Sequence, residues 1–139
     1  MLKFKVISTG KTKETWLQTA INEYLKRLQS VATIEFVWAK DDAHLVQLVS
    51  RESFWLCLDP AGACMTSPQF STFLFTLLER EGPRLTFVIG GPNGIPAELK
   101  GHPPLSLSSM TFTHQMTRLI LVEQLYRAIE IEKGSQYHK

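Results

Sequence analysis

Cysteine is scarce in this sequence, and the two cysteines present exclude two common kinds of site. Cys57 and Cys64 are the only members of their type among 139 residues. Their spacing matches neither a CxxC redox motif nor half of a zinc site. We therefore expect two reduced, partly buried thiols in a cytoplasmic protein.

Long apolar stretches and an excess of one charge are also missing. The longest apolar runs fall far short of the roughly 20 residues that a membrane-spanning helix needs. Lys3 and Lys5 precede any apolar run, so we expect no secretory signal and place the protein in the cytoplasm. The net charge is only +2, and charge alone therefore does not indicate a nucleic-acid-binding protein.

The composition that remains is that of an ordinary globular protein. Hydrophobic residues make up 44% and charged residues 20% of the chain, as in typical soluble domains. A length of 139 residues suits one domain spanning residues 1–139.

Strand-like and helix-like segments alternate along the chain. Short apolar or alternating stretches predict strands, and longer segments with apolar residues at helical spacing lie between most of them. This alternation predicts an α/β fold with a parallel-rich sheet and helices on both faces. The predicted strands are "LKFKVIS", "TIEFVWA", "FWLCLD", "RLTFVIG" and "PLSLSSMTF", the last of which is expected to break into a loop.

Apolar stripes and capping residues mark the helices. Trp16 opens an apolar stripe that predicts the core-facing side of the first helix. Ser67 is the predicted N-cap of the helix in "TSPQFSTFLFTLLEREG". The last helix is predicted to run from Thr113 until Gly134 ends it.

The alternating pattern also predicts where a ligand would bind. In open parallel sheets, ligands lie in the crevice outside the carboxyl ends of the strands. Three loops follow predicted strands at that edge: residues 59–62, 90–94 and 108–113. We expect the functional crevice to lie among them.

The loop "GGPNG" follows the apolar strand "LTFVI" and matches no phosphate-binding motif. It lacks the Gly-Lys-Ser/Thr of a P-loop and the position and spacing of a dinucleotide fingerprint. Gly90 and Gly91 would let the backbone closely approach a flat ligand or another backbone. The simpler interpretation is a tight turn in which Asn93 or Gly94 takes a positive φ.

The C-terminal third combines histidine, arginine and tyrosine. His114 and Arg118 lie four residues apart and so share a face of the last helix, and Arg127 follows further along it. Tyr137, His138 and Lys139 then form a short polar tail after the helix. The simpler interpretations are a solvated helix surface for the arginines and a frayed terminus for the tail.

At these residues the sequence resembles a known family. The segments "FVIGGPNG", "LSLSSMTFTHQMTRLILVEQLYRAIEI" and the final "YHK" are similar to those of the ribosomal RNA large subunit methyltransferase H family, small enzymes of the SPOUT class. The resemblance implies a homodimer that transfers a methyl group from S-adenosylmethionine to N3 of a pseudouridine in 23S rRNA on the assembled ribosome. It also implies a deep trefoil knot in the C-terminal part, which fold rules alone would argue against.

The resemblance also implies a cofactor pocket formed by three loops and without a metal ion. By motif, Leu58 in "LCLDPAG" and Gly90 in "VIGGPNG" belong to two of these loops. Glycine and small residues suit a slot for adenine, which needs no phosphate cradle. The third loop, within "LSSMTF", contributes Leu107, Ser108, Ser109, Met110, Thr111 and Phe112.

Methyl transfer to a ring nitrogen requires alignment of the reacting atoms and loss of the N3 proton. Arg118, Arg127 and His138 are candidates for stabilising the anionic base and for holding phosphates. His114 or His138 could accept the proton, because an imidazole titrates near neutral pH. Tyr137 could stack on a flipped base, and Tyr137 with His138 is our first choice for the catalytic pair.

The last helix is also the predicted dimer surface, because its apolar residues spread around more of the cylinder than one core stripe requires. A tail from one subunit would then complete the pocket of the other. Two alternatives stay open: a SPOUT methyltransferase acting on another rRNA or tRNA base, and a ribosome-binding adaptor without turnover.

Overall fold

The computed structural model describes residues 1–11, 13–100 and 104–138, and strands and helices alternate within them. The predicted tail residue Lys139 lies outside the described residues. The elements are β1 Leu2–Thr9, α1 Thr15–Leu28, β2 Ala32–Ala39, α2 Asp42–Val49, β3 Leu56–Cys64, α3 Ser67–Glu81, β4 Arg84–Ile89, a 3-10 turn Ala97–Leu99, β5 Leu105–Ser106 and α4 His114–Lys133.

The strands form one sheet in the order β2-β1-β4-β3-β5. Each pair of neighbouring strands among the described residues runs parallel. Strand β4 is the middle strand, and β1 lies between β2 and β4, with Val6 beside Phe36 of β2 and Phe87 of β4. The predicted α/β fold with a parallel sheet is confirmed.

Apolar side chains alternate between the two faces of the sheet, and helices cover both. On β4, Phe87 and Ile89 join the larger core cluster, whereas Val88 joins the smaller one. Residues of α3 and α4 pack in the larger cluster, and α2 supplies Leu45 and Val49 to the smaller one. Strands that are buried on both faces have nearly continuous apolar sequences. This explains the mostly apolar stretches "TFVI" and "WLCL".

Strand β5 covers only Leu105–Ser106, and the rest of "PLSLSSMTF" forms the predicted loop. The Ser106 hydroxyl donates to the Ser108 carbonyl at 2.7 Å, and the Ser108 hydroxyl accepts from the Met110 N–H at 3.0 Å. Such local bonds between serine side chains and backbone compete with the strand ladder. The chain therefore leaves the sheet after Ser106 and forms a loop at its carboxyl edge.

The trefoil knot remains a prediction. Residues 101–103, between the 3-10 turn and β5, lie outside the described residues. A search of the described helices finds none that is both long and apolar enough to cross a membrane.

Two local predictions from the sequence are wrong. Trp16 is 60% exposed, whereas Leu17, Ile21 and Leu28 form the buried face of α1. Adjacent helical residues point about 100° apart, so Trp16 and Leu17 cannot share the centre of one stripe. At α3, the N-cap is Thr66 rather than Ser67.

Thr66 caps α3 through a reciprocal pair of hydrogen bonds. Its hydroxyl accepts from the Gln69 N–H at 3.2 Å, and the Gln69 side chain accepts from the Thr66 N–H at 2.9 Å. This capping box satisfies two N–H groups that the helix itself leaves unpaired. Ser67 instead donates to the Gln124 side chain of α4 at 2.7 Å, and so joins two helices.

Replacing Thr66 with alanine is expected to lower the free energy of unfolding by about 1 kcal/mol, the usual value for a lost N-cap. Urea denaturation followed by circular dichroism measures this. Thr72→Ala, at an exposed position of the same helix, is the matched control and should change stability by less than about 0.5 kcal/mol. Equal stability of the Thr66→Ala variant and the wild type would contradict the assignment of the cap.

Candidate functional site

A cavity of about 700 Å³ opens at the carboxyl edge of the sheet. Three loops meet around it: one leaves β3 at Asp59, one follows β4 and one follows β5. The first turn of α4 also contributes to the lining. Its volume lies within the range of small-molecule sites in proteins. The described residues that line it are Glu14, Leu58, Asp59, Pro60, Ile89, Gly90, Gly91, Pro92, Gly94, Ile95, Leu107, Ser108, Met110, Thr111, Phe112, Thr113, His114, Gln115 and Thr117.

The part of β3 beside the cavity is a bulge. Leu58 pairs with Ile89 of β4, and the ladder with β5 resumes only at Ala63. Between them, the Asp59 carboxylate accepts from the Ala61 N–H at 2.9 Å and turns the chain. A Cβ at Gly62 would lie 2.8 Å from the Pro104 carbonyl carbon, so only glycine lets the bulge pack this closely.

The glycine loop is both a tight turn and a close approach of two backbone segments. The Gly94 N–H donates to the Gly91 carbonyl at 2.9 Å, and Gly94 takes the positive φ of +79°. A Cβ at Gly90 would overlap the Gly94 carbonyl and lie 2.9 Å from the Ile95 nitrogen. The sequence left two partners open for Gly90, a flat ligand or another backbone segment. The structure shows a backbone segment against it.

The walls of the cavity are mainly apolar. Ile89 and Ile95 are buried beside the glycine loop, and Leu58 is only 8% exposed. At the rim, Met110 is 72% and Phe112 is 37% exposed. A flat apolar group could therefore lie against buried side chains while the rim stays open to a larger partner.

The charged groups of the lining are acidic. Glu14 and Asp59 contribute carboxylates, and among the described residues the lining includes no lysine or arginine. Two carboxylates in a mainly apolar cavity favour a ligand that carries positive charge.

His114 lies at the cavity in the first turn of α4. Partial burial lowers the pKa of this imidazole, and the positive charge of Arg118 lowers it further. A lowered pKa favours the neutral ring at pH 7, and the neutral ring has a lone pair that can accept a proton.

Arg118 is fully buried behind the cavity, with 0% exposure. The expectation of a solvated surface is wrong for this residue. Its guanidinium donates to the Ser8 hydroxyl and to the carbonyls of Thr9 and Gly10. Burial lowers the pKa of Arg118 to about 10, so the group remains charged at neutral pH. It does not belong to the described lining of the cavity.

The described part of the tail packs against α4 of its own chain. The Tyr137 hydroxyl donates to the Glu123 carboxylate at 2.8 Å, and Arg127 forms an ion pair with the same carboxylate at 3.1 Å. The Nδ1 atom of His138 lies 3.0 Å from the Nη1 atom of Arg127. Tyr137 also meets the Tyr126 ring edge-on, with ring centroids 4.7 Å apart. The described tail residues are therefore ordered by specific contacts.

This tail cluster lies away from the cavity of the same chain. Glu123 is about 9 Å further along the helix axis than Thr117, the last lining residue of α4. Burial and the Glu123 carboxylate both raise the pKa of Tyr137, so the phenol stays protonated. Arg127, Tyr137 and His138 are absent from the described lining, and His114 is the one predicted catalytic residue within it.

The structure brings all but one of the predicted cofactor residues to the cavity. Ser109 is exposed and outside the described lining, whereas the other seven predicted positions line the cavity. Sequence reasoning missed Glu14, Ile95 and the tail-binding Glu123. Ile95 follows the glycine loop directly and could have been included with it. No local sequence pattern marks Glu14 or Glu123 as part of a site.

The described residues contain no group of three or more His, Cys, Asp or Glu side chains that could hold a metal ion. Cys57 is buried, and burial raises the pKa of its thiol to about 11. Cys64 is exposed rather than partly buried.

Comparison with known proteins extends over the whole chain. The family model described as "Predicted SPOUT methyltransferase" matches residues 2–138. The Ribosomal RNA large subunit methyltransferase H of Protochlamydia amoebophila (strain UWE25) is 56% identical over 140 residues, covering 100% of both chains. The protein of the same name from Prochlorococcus marinus (strain NATL2A) is 38% identical, covering 98% of this chain and 95% of its own. That from Geobacter sulfurreducens is 36% identical, covering 99% of both chains.

Proposed function

The chain belongs to the ribosomal RNA large subunit methyltransferase H family of SPOUT methyltransferases, and from this premise we propose what it modifies and how. It transfers a methyl group from S-adenosylmethionine to N3 of a pseudouridine in 23S rRNA. It acts in the cytoplasm, on the assembled ribosome, as a homodimer of single-domain chains. The observation that carries this proposal is the cavity at which the three family loops meet.

The lining of the cavity fits S-adenosylmethionine by its chemistry. Ile89, Ile95 and Leu58 supply apolar surface for an adenine ring. Glu14 and Asp59 supply negative charge for a ligand with a sulfonium and an ammonium group. When bound, the cofactor supplies an electrophilic methyl group.

The residues of the chain have two tasks in this reaction. The loops exclude water and hold the methyl group in line with the base nitrogen, which is where positioning lowers the barrier most. The N3–H bond must break so that its electron pair can form the new bond to carbon. Neutral His114 at the cavity, or His138 of the tail, accepts that proton.

The position of the tail supports a pocket shared between subunits. Tyr137, His138 and Arg127 lie beyond the described lining of their own cavity, so in a monomer they would not meet the reacting atoms. The flank of α4 carries half-buried Leu119 and Tyr126, which a second subunit would cover. We propose that the tail of one subunit completes the cavity of the other.

Transfer of labelled methyl groups tests the function directly. Ribosomes from a strain that lacks the gene are incubated with purified protein and labelled S-adenosylmethionine, and the 23S rRNA is mapped by mass spectrometry. We expect one added methyl group on a large-subunit pseudouridine. Label on another base would favour the alternative SPOUT substrate. Failure to bind the cofactor in calorimetry, with intact binding to ribosomes, would favour the adaptor.

A further inference from the structure

We propose that Arg118 is a positioning residue, which braces two walls of the cavity from behind and does not touch the substrate. This inference rests on the function proposed above, because it explains how that cavity keeps its shape.

The guanidinium of Arg118 holds three consecutive residues at the end of β1. Its Nε donates to the Ser8 hydroxyl at 3.0 Å, and its Nη2 donates to the carbonyls of Thr9 at 2.8 Å and Gly10 at 2.6 Å. Its carbon Cζ lies 4.5 Å from the centre of the Trp38 ring on β2. The planar, charged fork of arginine can make these contacts together, whereas the ammonium of a lysine cannot.

The first wall braced in this way is the glycine loop. Ser8 pairs with Ile89, the last residue of β4. The Thr9 side chain lies 3.4 Å from the position that a Cβ of Gly91 would take. Displacement of residues 8–10 would therefore displace the contact surface on which Gly91 rests.

The second wall is the first turn of α4. Arg118 lies one turn after His114, and its bonds to the end of β1 fix this turn against that strand. Gly10, at φ +76°, lies next to the imidazole, since its Cβ position would be 3.8 Å from the His114 Nε2 atom. The Gly10 segment is thus held between the guanidinium and the imidazole, and the orientation of His114 at the cavity depends on it.

Burial of a charged side chain in this place is costly unless its donors are satisfied. An apolar replacement would leave the hydroxyl of Ser8 and the two carbonyls without these partners. The buried arginine therefore fixes one arrangement of the strand end, where an apolar core residue would permit several.

The test compares Arg118→Met and Arg118→Lys with the wild type at a temperature at which each variant is folded. We expect the dissociation constant for S-adenosylmethionine, measured by calorimetry, to rise at least about tenfold in Arg118→Met, because both walls lose their support. Arg118→Lys keeps the charge but loses the fork, so we expect a smaller rise. Arg80→Met, at an exposed position of α3, is the control and should leave the constant unchanged.

A second readout is the titration of the His114 ring followed by NMR. The charge of Arg118 contributes to the lowered pKa of this imidazole, and Glu14 and Asp59, which line the same cavity, stay unchanged in both variants. We expect the titration midpoint to rise in Arg118→Met and to stay low in Arg118→Lys. The titration verifies that the guanidinium lies beside His114, whereas a residue that only stabilises the fold would move the melting temperature and leave the dissociation constant unchanged.

Ser8→Ala keeps the test informative if the Arg118 variants do not fold. This variant removes the acceptor of Arg118 Nε, and we expect it to weaken cofactor binding severalfold. Wild-type affinity in folded Arg118→Met, or in Ser8→Ala where only that variant folds, would overturn the proposal. An inactive wild type would instead contradict the proposed function, so the two failures are distinguishable.

Discussion

Gly90→Val is expected to abolish measurable binding of S-adenosylmethionine while the sheet remains folded. The side chain would overlap the Gly94 carbonyl and crowd the Ile95 nitrogen. Neither backbone atom can move as a flexible side chain would, so residues 90–95 must shift as a unit. Because Gly90, Gly91, Gly94 and Ile95 all line the cavity, that shift changes the shape of the binding surface itself.

The expected size of this effect is a loss of affinity of at least about 100-fold, or about 2.7 kcal/mol. Calorimetry measures the affinity, and thermal unfolding should show a destabilisation of about 1–3 kcal/mol, as for other overpacked sites. The control is Ala43→Val, which adds a branched side chain at an exposed position of α2 outside the described lining and should leave the affinity unchanged. If folded Gly90→Val bound the cofactor as tightly as the wild type, the glycine loop would not form the site.

Deletion of Tyr137, His138 and Lys139 is expected to leave cofactor binding nearly unchanged and to lower the rate of methyl transfer about 1,000-fold. The described tail residues lie outside the lining of their own cavity, which is why binding should survive. The rate should fall because the deletion removes a candidate proton acceptor and a stacking ring, and general base catalysis alone contributes about 100- to 10,000-fold. Binding by calorimetry and single-turnover transfer to ribosomes give the two quantities separately.

Tyr137→Phe is the matched variant for this deletion. It keeps the ring but removes the bond from the hydroxyl to Glu123, so we expect a smaller loss of rate than the deletion causes. A truncated protein that methylates ribosomes at the wild-type rate would remove the tail from the mechanism.

Mixed dimers test whether the tail acts across subunits. A Gly90→Val subunit supplies an intact tail, and a truncated subunit supplies an intact cavity. If pockets are shared, each mixed dimer should have about half of the wild-type activity, because one of its two sites is complete. Absence of recovery in dimers that are shown to be mixed would argue for a tail that serves its own chain.

Much of the fold could be predicted because the relevant pattern is local. Uniform burial of Leu56, Cys57 and Leu58 appears in the sequence as an unbroken apolar run. Errors occurred where neighbouring residues compete for one role, as Thr66 and Ser67 do for the cap of α3. The break of "PLSLSSMTF" into a loop was predicted, since serines within a strand-like stretch can bond to their own backbone instead, but the residue at which the strand ends was not.

The candidate site was predictable in position and less so in composition. Parallel strands place the loops that follow them at one edge of the sheet, and the family motifs fall on those loops. Arg118 shows the limit of this reasoning. Its partners at Ser8, Thr9 and Gly10 lie 108 to 110 residues away in the chain, and no pattern around position 118 indicates that it is buried.

By itself, the sequence determined the alternation of strands and helices, the parallel sheet and the edge at which a ligand would bind. These follow from apolar periodicity and from the order of elements, which are properties of residues close together in the chain. The tertiary structure alone decided that Gly90 meets a backbone, that Arg118 lies behind the cavity and that Tyr137 packs on Glu123. Each of these depends on which segments come into contact after folding, and contact free energies between distant segments leave no periodic trace in the sequence.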